Sequence, residues 1–242
     1  MLKAPFVAGN DGVGVVVKVG PGVKNLSEND WVLPYKAALG TWRSLAIWRE
    51  KDIMKIPANL MPMEYAAMMR EMCVAYRLLE DYGTLKPGDS VILNAANSTV
   101  GSCVIQLCRM LKLRAIAVIR QRDVPEFEET ARRLKAMGAS EVLSEGGSLK
   151  AKLDENKFFA KPRLALDAVG GASSAALADT LQDGCPLVVY GCMSGKAPQF
   201  AWQQWTFKEL AVKGFNLRSW MAANKKKARG FAGRPCACAW LF

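Results

Sequence analysis

Residues 91–122, VILNAANSTVGSCVIQLCRMLKLRAIAVIRQR, decide the fold. Val91–Leu93 is a short apolar run, and Asn94–Thr99 is a cluster of small and turn-forming residues. Val100, Val104, Leu107, Cys108 and Leu111 then recur at helical spacing before a second apolar run, Ala115–Ile119. Strand, tight turn, helix and strand make one βαβ unit. In such a unit small residues let backbone amides approach a ligand, and the helix beginning near Val100 offers unpaired N–H groups and a positive dipole end to an anion. The pattern predicts a pyrophosphate at the turn.

The turn is not a full GxGxxG, because Ala95, Asn97 and Gly101 stand where glycines are expected. The end of the second strand sharpens the reading. A dinucleotide fold that prefers NAD offers an acidic residue there for the ribose hydroxyl, whereas this strand runs into Arg120-Gln121-Arg122. Two guanidinium groups favour a ribose phosphate and hence NADP. The competing reading is a pair of solvated arginines at an ordinary strand end.

Working outward, a chain of 242 residues with 51% hydrophobic composition can bury one good core, or one core and a smaller one. No uninterrupted apolar segment is long enough to cross a bilayer, and the opening MLKAPFVAGNDG has neither a signal peptide's apolar block nor a transit peptide's arginine-rich helix, so no targeting segment is expected in it. The formal net charge of +11 raises the possibility of a polyanionic partner. The charges are dispersed, however. Only Lys225–Lys227 with Arg229 forms a run, without interleaved aromatics or a nucleic-acid motif, so no nucleic-acid function is expected. The seven cysteines are odd in number, follow no disulfide framework and lie mostly in apolar runs, which predicts reduced, buried thiols in an intracellular compartment. The absence of histidine removes Ser/His and Cys/His catalysis and most catalytic zinc sites, and Cys236 with Cys238 supplies too few ligands for a structural zinc. No metal is expected.

Residues 1–64 differ in character from the rest of the chain. Glycines punctuate short β-branched runs such as Val13–Val19, and Trp31–Leu33 and Trp42–Trp48 read as further strands. Residues 63–82 carry a helical pattern, and Lys86-Pro87-Gly88-Asp89 turns the chain into the first strand of the βαβ unit. Beyond it the alternation continues: a helix over Glu126–Met137 stopped by Gly138, a strand at Glu141–Leu143, a strand at Arg163–Val169, a helix over Ser173–Leu181 and a strand at Leu187–Tyr190. Lys213–Trp220 reads as a last strand, and residues 224–242 as an irregular tail. The fold class is α/β, with a parallel sheet covered on both faces that binds ligands at the carboxyl ends of its strands. The pattern divides the chain into a β domain at 1–64 and a nucleotide-binding domain at 65–223.

Laid side by side, these pieces resemble the mitochondrial 2-enoyl thioester reductases, the zinc-independent branch of the medium-chain dehydrogenase/reductase superfamily. The matching segments are Val7–Val13 with the following valine strand, Gly40–Arg43, Leu85–Val91, Asn94–Gly101, Arg120–Arg122, Pro162–Leu166 with Val169–Gly171, and Tyr190–Met193, and the likeness covers about residues 4–220. The resemblance implies a Rossmann-type domain with a partial N-terminal GroES-like β domain. It also implies NADPH-dependent reduction of the C2–C3 double bond of enoyl groups on acyl carrier protein or coenzyme A in mitochondrial fatty acid synthesis, by a homodimer formed through the nucleotide-binding domain. Residue by residue it places Asn97, Ser98, Thr99 and Val100 along the pyrophosphate, Arg120, Gln121 and Arg122 on the 2′-phosphate, and Tyr190, Gly191, Cys192 and Met193 along the nicotinamide. Phe215, Asn216, Leu217 and Arg218 then form a far wall.

The sequence departs from the family at several of these places. The family's catalytic tyrosine lies in a Gly-Asn-Tyr-Gly segment that would precede Met1, so no catalytic residue is assigned in this chain and its reductase activity is expected to be impaired. Glu71 stands where the family has an asparagine, Thr99 replaces a glycine of the turn, Asn216 replaces a tryptophan of the substrate wall, and a C-terminal cofactor lysine is missing. Two alternatives stand beside the reductase: a non-catalytic NADP-binding or dimerising fragment, and a quinone reductase of the same superfamily.

Overall fold

The computed structural model describes residues 5–58, 61–155 and 160–224. They fall into two units, Met1–Arg70 with Leu217–Phe242, and Glu71–Asn216.

The first unit is built on a small antiparallel sheet of β1 (Gly14–Val15), β2 (Trp31–Pro34) and β3 (Ile53–Ile56), in which β2 pairs with both neighbours. Val32, Leu33 and Ile56 are buried in it, Val32 on the face opposite to Leu33 and Ile56. The valine run predicted as a strand over Val13–Val19 pairs only at β1, and Val17 is 70% exposed. Trp42–Trp48 is not a strand. Its first amides are committed to a turn, with Trp42 N donating to Ala8 O at 3.0 Å and Arg43 N to Thr41 O at 2.8 Å, while the Arg43 guanidinium donates to Gly40 O at 2.8 Å. Helix α1 (Met63–Ala67) is separated from α2 (Met69–Tyr82) by Met68, so the expected single helix over 63–82 is two.

The second unit carries a six-stranded, all-parallel sheet of β4 (Ser90–Leu93), β5 (Arg114–Ile119), β6 (Ala139–Ser144), β7 (Leu164–Asp167), β8 (Pro186–Val189) and β9 (Ala211–Gly214), in the order β6-β5-β4-β7-β8-β9. The order reverses between β4 and β7, where a doubly wound sheet opens a crevice at its carboxyl edge. β4 and β7 are buried at every position, as strands covered on both faces must be. Helices α3 (Thr99–Met110), α4 (Val124–Met137), α5 (Leu149–Glu155), α6 (Gly171–Thr180) and α7 (Trp202–Phe207) connect them. Ile92, Ile116, Val118, Leu177 and Leu187 belong to one core cluster, and each such side chain contributes about 1.5–3 kcal/mol by leaving water.

Local chemistry sets the ends of these helices. Asp123 caps α4 by accepting from Glu126 N at 3.1 Å, and Gly138 ends it in the left-handed region at φ 119°. The predicted strand at Lys213–Trp220 is corrected: β9 ends at Gly214, and Leu217 opens helix α8 (Leu217–Ala223) in the first unit. Helices α5 and α7 and strand β3 were not anticipated. The irregular tail over 224–242 lies, beyond Asn224, outside the described residues.

Candidate functional site

Six segments leave the carboxyl edge of the parallel sheet, and the predicted residues of the second unit follow four of its strands, β4, β5, β8 and β9. After β4 the chain makes a tight turn in which Ala95 adopts φ 46°, a conformation glycine takes freely and alanine does not. Ala96 N donates to Val118 O on β5 at 3.2 Å, and Ser98 N returns to Ala95 O at 2.9 Å. Ser98 then caps α3, its hydroxyl accepting from Gly101 N at 3.2 Å. The amides of Thr99 and Val100 lie in the first helical turn, where no intrahelical acceptor exists, and the positive end of α3 lies with them. Asn97 and Ser98 are half-buried at this turn and Thr99 is exposed.

Arg120, Gln121 and Arg122 follow β5, whose Ala117 lies beside Leu93 of β4, so they emerge one strand from the turn. Arg120 is exposed and has no ion-pair partner among the described residues. Arg122 is half-buried and pairs with Glu126 in the first turn of α4, while its Nε is buried without a partner. Gln121 is exposed, with its side-chain oxygen turned towards Gly146 of the loop after β6.

After β8, Tyr190 N donates to Asp167 O at 2.9 Å, Met193 N to Ala168 O at 2.9 Å and Ser194 N to Val169 O at 3.0 Å, so this loop is laced to the one after β7. The Tyr190 hydroxyl oxygen is buried with no hydrogen-bond partner. Burial pushes the phenol's pKa well up, and the nearby Asp167 carboxylate adds to the shift. Gly191 packs on Ala168, where an added Cβ would come within 3.0 Å of a carbonyl oxygen. Cys192 and Met193 are exposed. Phe215 is buried beyond β9 with its ring edge-on to Tyr82 at 6.1 Å, and Asn216 is exposed. Leu217 and Arg218 belong to the first unit, where Arg218 lines a cleft of about 500 Å³ with Phe6–Asn10 and Ala38.

Sequence reasoning missed the polar centre of this edge. Asn94 and Asp167, both fully buried, close the switch point between β4 and β7 through a hydrogen bond of 2.7 Å from Asn94 Nδ2 to Asp167 Oδ1. The signal available was an aspartate at the end of the apolar run RLALD, a polar side chain that must find hydrogen-bond partners where water is excluded. Among the cysteines of the described residues all five are free. Cys103 and Cys108 are buried, Cys73 and Cys185 are intermediate, and Cys192 is exposed, which corrects the expectation that it is buried. Cys236 and Cys238 lie outside the described residues.

A doubly wound parallel sheet with an open helix N-terminus and two guanidinium groups at its carboxyl edge is the frame of a dinucleotide-binding protein. The chain belongs to the zinc-binding dehydrogenase family, whose model matches residues 99–229. It is similar to the mitochondrial enoyl-[acyl-carrier-protein] reductase of Mus musculus, 42% identical over 223 residues that make up 90% of this chain and 58% of that protein. The chain thus spans less than two thirds of this relative's length. Among solved structures it is similar to the mitochondrial 2-enoyl thioester reductase Etr1p/Etr2p heterodimer from Candida tropicalis, with a TM-score of 0.86, 28% identity and coverage of 97% of this chain and 68% of that one. The Etr1p/NADP/crotonyl-CoA complex gives the same TM-score of 0.86 at 28% identity, covering 98% of this chain and 69% of that one.

The zinc of the family's description finds no fitting residues here. Among the described residues no group of three or more His, Cys, Asp or Glu lies where it would hold a metal ion, and the chain has no histidine. An anionic dinucleotide is a different matter. Among the described residues the first amides of α3, Arg120, the Arg122 Nε and the Tyr190 hydroxyl are donors without an acceptor.

Proposed function

We propose that this chain binds NADPH at the carboxyl edge of its parallel sheet and serves the reduction of trans-2-enoyl thioesters, carried by acyl carrier protein or coenzyme A, in mitochondrial fatty acid synthesis. The observation that carries the reading is the pairing of an open helix N-terminus at Thr99–Val100 with two arginines one strand away, and no acidic residue in their place. The relatives named as mitochondrial enoyl reductases, and a solved neighbour carrying NADP and crotonyl-CoA, support it.

In this reading Asn97–Val100 hold the pyrophosphate by backbone amides, Arg120 and Arg122 hold the 2′-phosphate with Gln121 between them, and Tyr190–Met193 pack along the nicotinamide. Phe215 and Asn216 wall the far side, with Leu217 and Arg218 following in the chain. The dihydronicotinamide supplies a hydride when bound. The chain's own residues align it: amides and guanidinium groups fix the phosphates, and the half-buried Tyr190 ring keeps water from one side. No residue of this chain is assigned as donor to the enolate oxygen. The unit Met1–Arg70 belongs, on this reading, to the substrate-side β domain.

A dimer is part of the same proposal. Strand β9 is an edge strand of the sheet, and beside it in sequence α7 exposes Trp202, Trp205 and Phe207 at 61%, 48% and 67%. The heterodimer of Etr1p and Etr2p is a precedent for two such chains associating.

The test is a fluorescence titration with NADPH and NADH, followed by assay of NADPH oxidation with crotonyl-CoA and with a quinone. Saturable binding that prefers NADPH, with the preference abolished in the Arg120→Ala/Arg122→Ala double variant, is expected. No binding, or a preference untouched by removing both arginines, sinks the assignment. Oxidation driven by quinone alone replaces the substrate class and leaves the cofactor site standing.

A further inference from the structure

The switch point between β4 and β7 is closed by a buried polar cluster whose centre is a carboxylate. Asp167 has no exposed surface and no Lys or Arg partner among the described residues. Its Oδ1 accepts from Asn94 Nδ2 at 2.7 Å, Val169 N at 2.9 Å and Gly170 N at 3.0 Å, and its Oδ2 accepts from the Ser174 hydroxyl. The N-terminus of α6 begins at Gly171, adding its dipole to these donors. Asn94 is tied in turn: Ala168 N donates to its Oδ1 at 2.7 Å, and its Nδ2 also reaches the Ser173 hydroxyl at 3.0 Å, which donates to Glu145 of the loop after β6 at 2.7 Å. The main-chain oxygen of Asp167 takes the amide of Tyr190.

The consequence is geometrical. One carboxylate and one amide hold together the loops that follow β4 and β7, through Ser173 they reach the loop after β6, and the main chain of the β7 loop so held takes the amides of Tyr190, Met193 and Ser194 after β8. Asn94 immediately precedes Ala95, the residue held at φ 46°, so the start of the phosphate-facing turn is fixed from beneath. A carboxylate suits the centre because it only accepts, and every group converging on it donates.

We propose that Asn94 and Asp167 are positioning residues for the dinucleotide, holding the turn Ala95–Val100 and the segment Tyr190–Met193 in mutual register before the cofactor arrives. This rests on the NADPH reading above. Neither residue is assigned contact with the cofactor; each acts through the loops it ties.

The experiment uses the full chain and the variants Asn94→Ala, Asp167→Ala, Asp167→Asn and Ser174→Ala. NADPH and NADH affinities are measured by fluorescence titration at a temperature where circular dichroism shows every variant folded. Hydrogen exchange is followed over residues 94–98, 168–171 and 190–194. Asn94→Ala and Asp167→Ala are expected to lose about tenfold or more in affinity for both nucleotides, about 1.4 kcal/mol, with faster exchange in all three loops together. Asp167→Asn keeps the acceptor facing Asn94 and the two amides and only reverses the Ser174 hydroxyl, so it should stay within about threefold of the parent. Should Asp167→Ala not fold, Asn94→Ala and Ser174→Ala carry the same comparison, with Ser174→Ala the milder. A lowered melting temperature with unchanged affinity and exchange confined to one loop overturns the positioning role while leaving the cofactor site intact. Failure of the parent itself to take up NADPH removes the cofactor reading and this role together.

Discussion

Replacing Gly101 by alanine probes the turn directly. Gly101 is the third residue of α3, and a Cβ built on it would lie 2.5 Å from Ala96 O, 2.7 Å from Ala96 C and 2.8 Å from Ala95 O. All three atoms are backbone, so none can rotate aside. With roughly 3.5 Å as a comfortable separation, the turn or the helix must retreat by about 1 Å. Strain of this kind in a packed interior costs about 1–3 kcal/mol. Alanine returns about 0.8–1.0 kcal/mol of helix propensity, so a net loss of up to about 2 kcal/mol is expected. The retreat also moves Ala95 and Ala96, which place the amides of Thr99 and Val100, so NADPH affinity should fall about tenfold along with stability. Urea denaturation and a fluorescence titration read the two effects. Gly214→Ala is the control, since a Cβ there meets nothing within 4 Å. It should change stability by no more than about 0.5 kcal/mol. If Gly101→Ala matches the control in both measurements, the close-approach argument is wrong.

Two further predictions concern charge. Glu126 draws Arg122 into an ion pair, with side chains 51% and 30% exposed respectively, so Glu126→Gln should free the guanidinium and tighten NADPH about two- to fivefold, an effect that fades in high salt and leaves NADH unchanged. Equal or weaker NADPH binding by the variant would show that the arginine is not held back by this partner. Burial pushes the Cys108 thiol up to about 12, while burial and then the Glu71 carboxylate push Cys103 up to about 11. The folded chain therefore keeps protons that the unfolded chain releases from about pH 8.5 upward, and the stabilisation is complete below that pH and lost as pH climbs towards 11 and 12. Thermal melts should fall over this range, and less steeply in Cys108→Ala; parallel curves for parent and variant would refute the linkage.

Legibility in the sequence followed burial. Strands β4, β5, β7 and β8 sit inside the sheet between layers of helices, so each had to be an apolar run, and runs bounded by Gly, Pro and Asn are visible without a structure. The first unit was less legible for the same reason. Val13–Val19 and Trp42–Trp48 carry strand-forming side chains, yet the first run and Arg43–Trp48 of the second line an open cleft of about 500 Å³, where composition alone cannot tell a paired strand from an extended unpaired one. At Lys213–Trp220 a two-residue alternation masked the change from strand to helix, because Gly214 and Asn216 interrupt both periods equally. In the site, the arginines after β5 were conspicuous because charge at a strand end is local information. The Asn94–Asp167 contact joins residues 73 apart, and nothing local in either segment announces the other.

The turn after β4 shows why a poor match to a glycine motif can accompany a tight strand-to-helix turn with an open helix N-terminus. A glycine there can serve three purposes: a backbone conformation closed to other residues, space for the ligand, or space for the helix against the strand. In this chain the first is met by Ala95 at φ 46°, at a cost of about 1–2 kcal/mol that the Asn94–Asp167 bridge beneath it helps to offset. At Thr99 the residue is exposed, so the fold itself places no packing demand on the missing glycine there. Only the third purpose leaves no substitute, because the atoms around Gly101 are carbonyls of the turn itself. A pattern search that weights all three glycines alike discounts this sequence. Weighting each by what its missing Cβ would strike keeps the turn as a phosphate-binding candidate and singles out Gly101 as the position at which the sequence has no freedom.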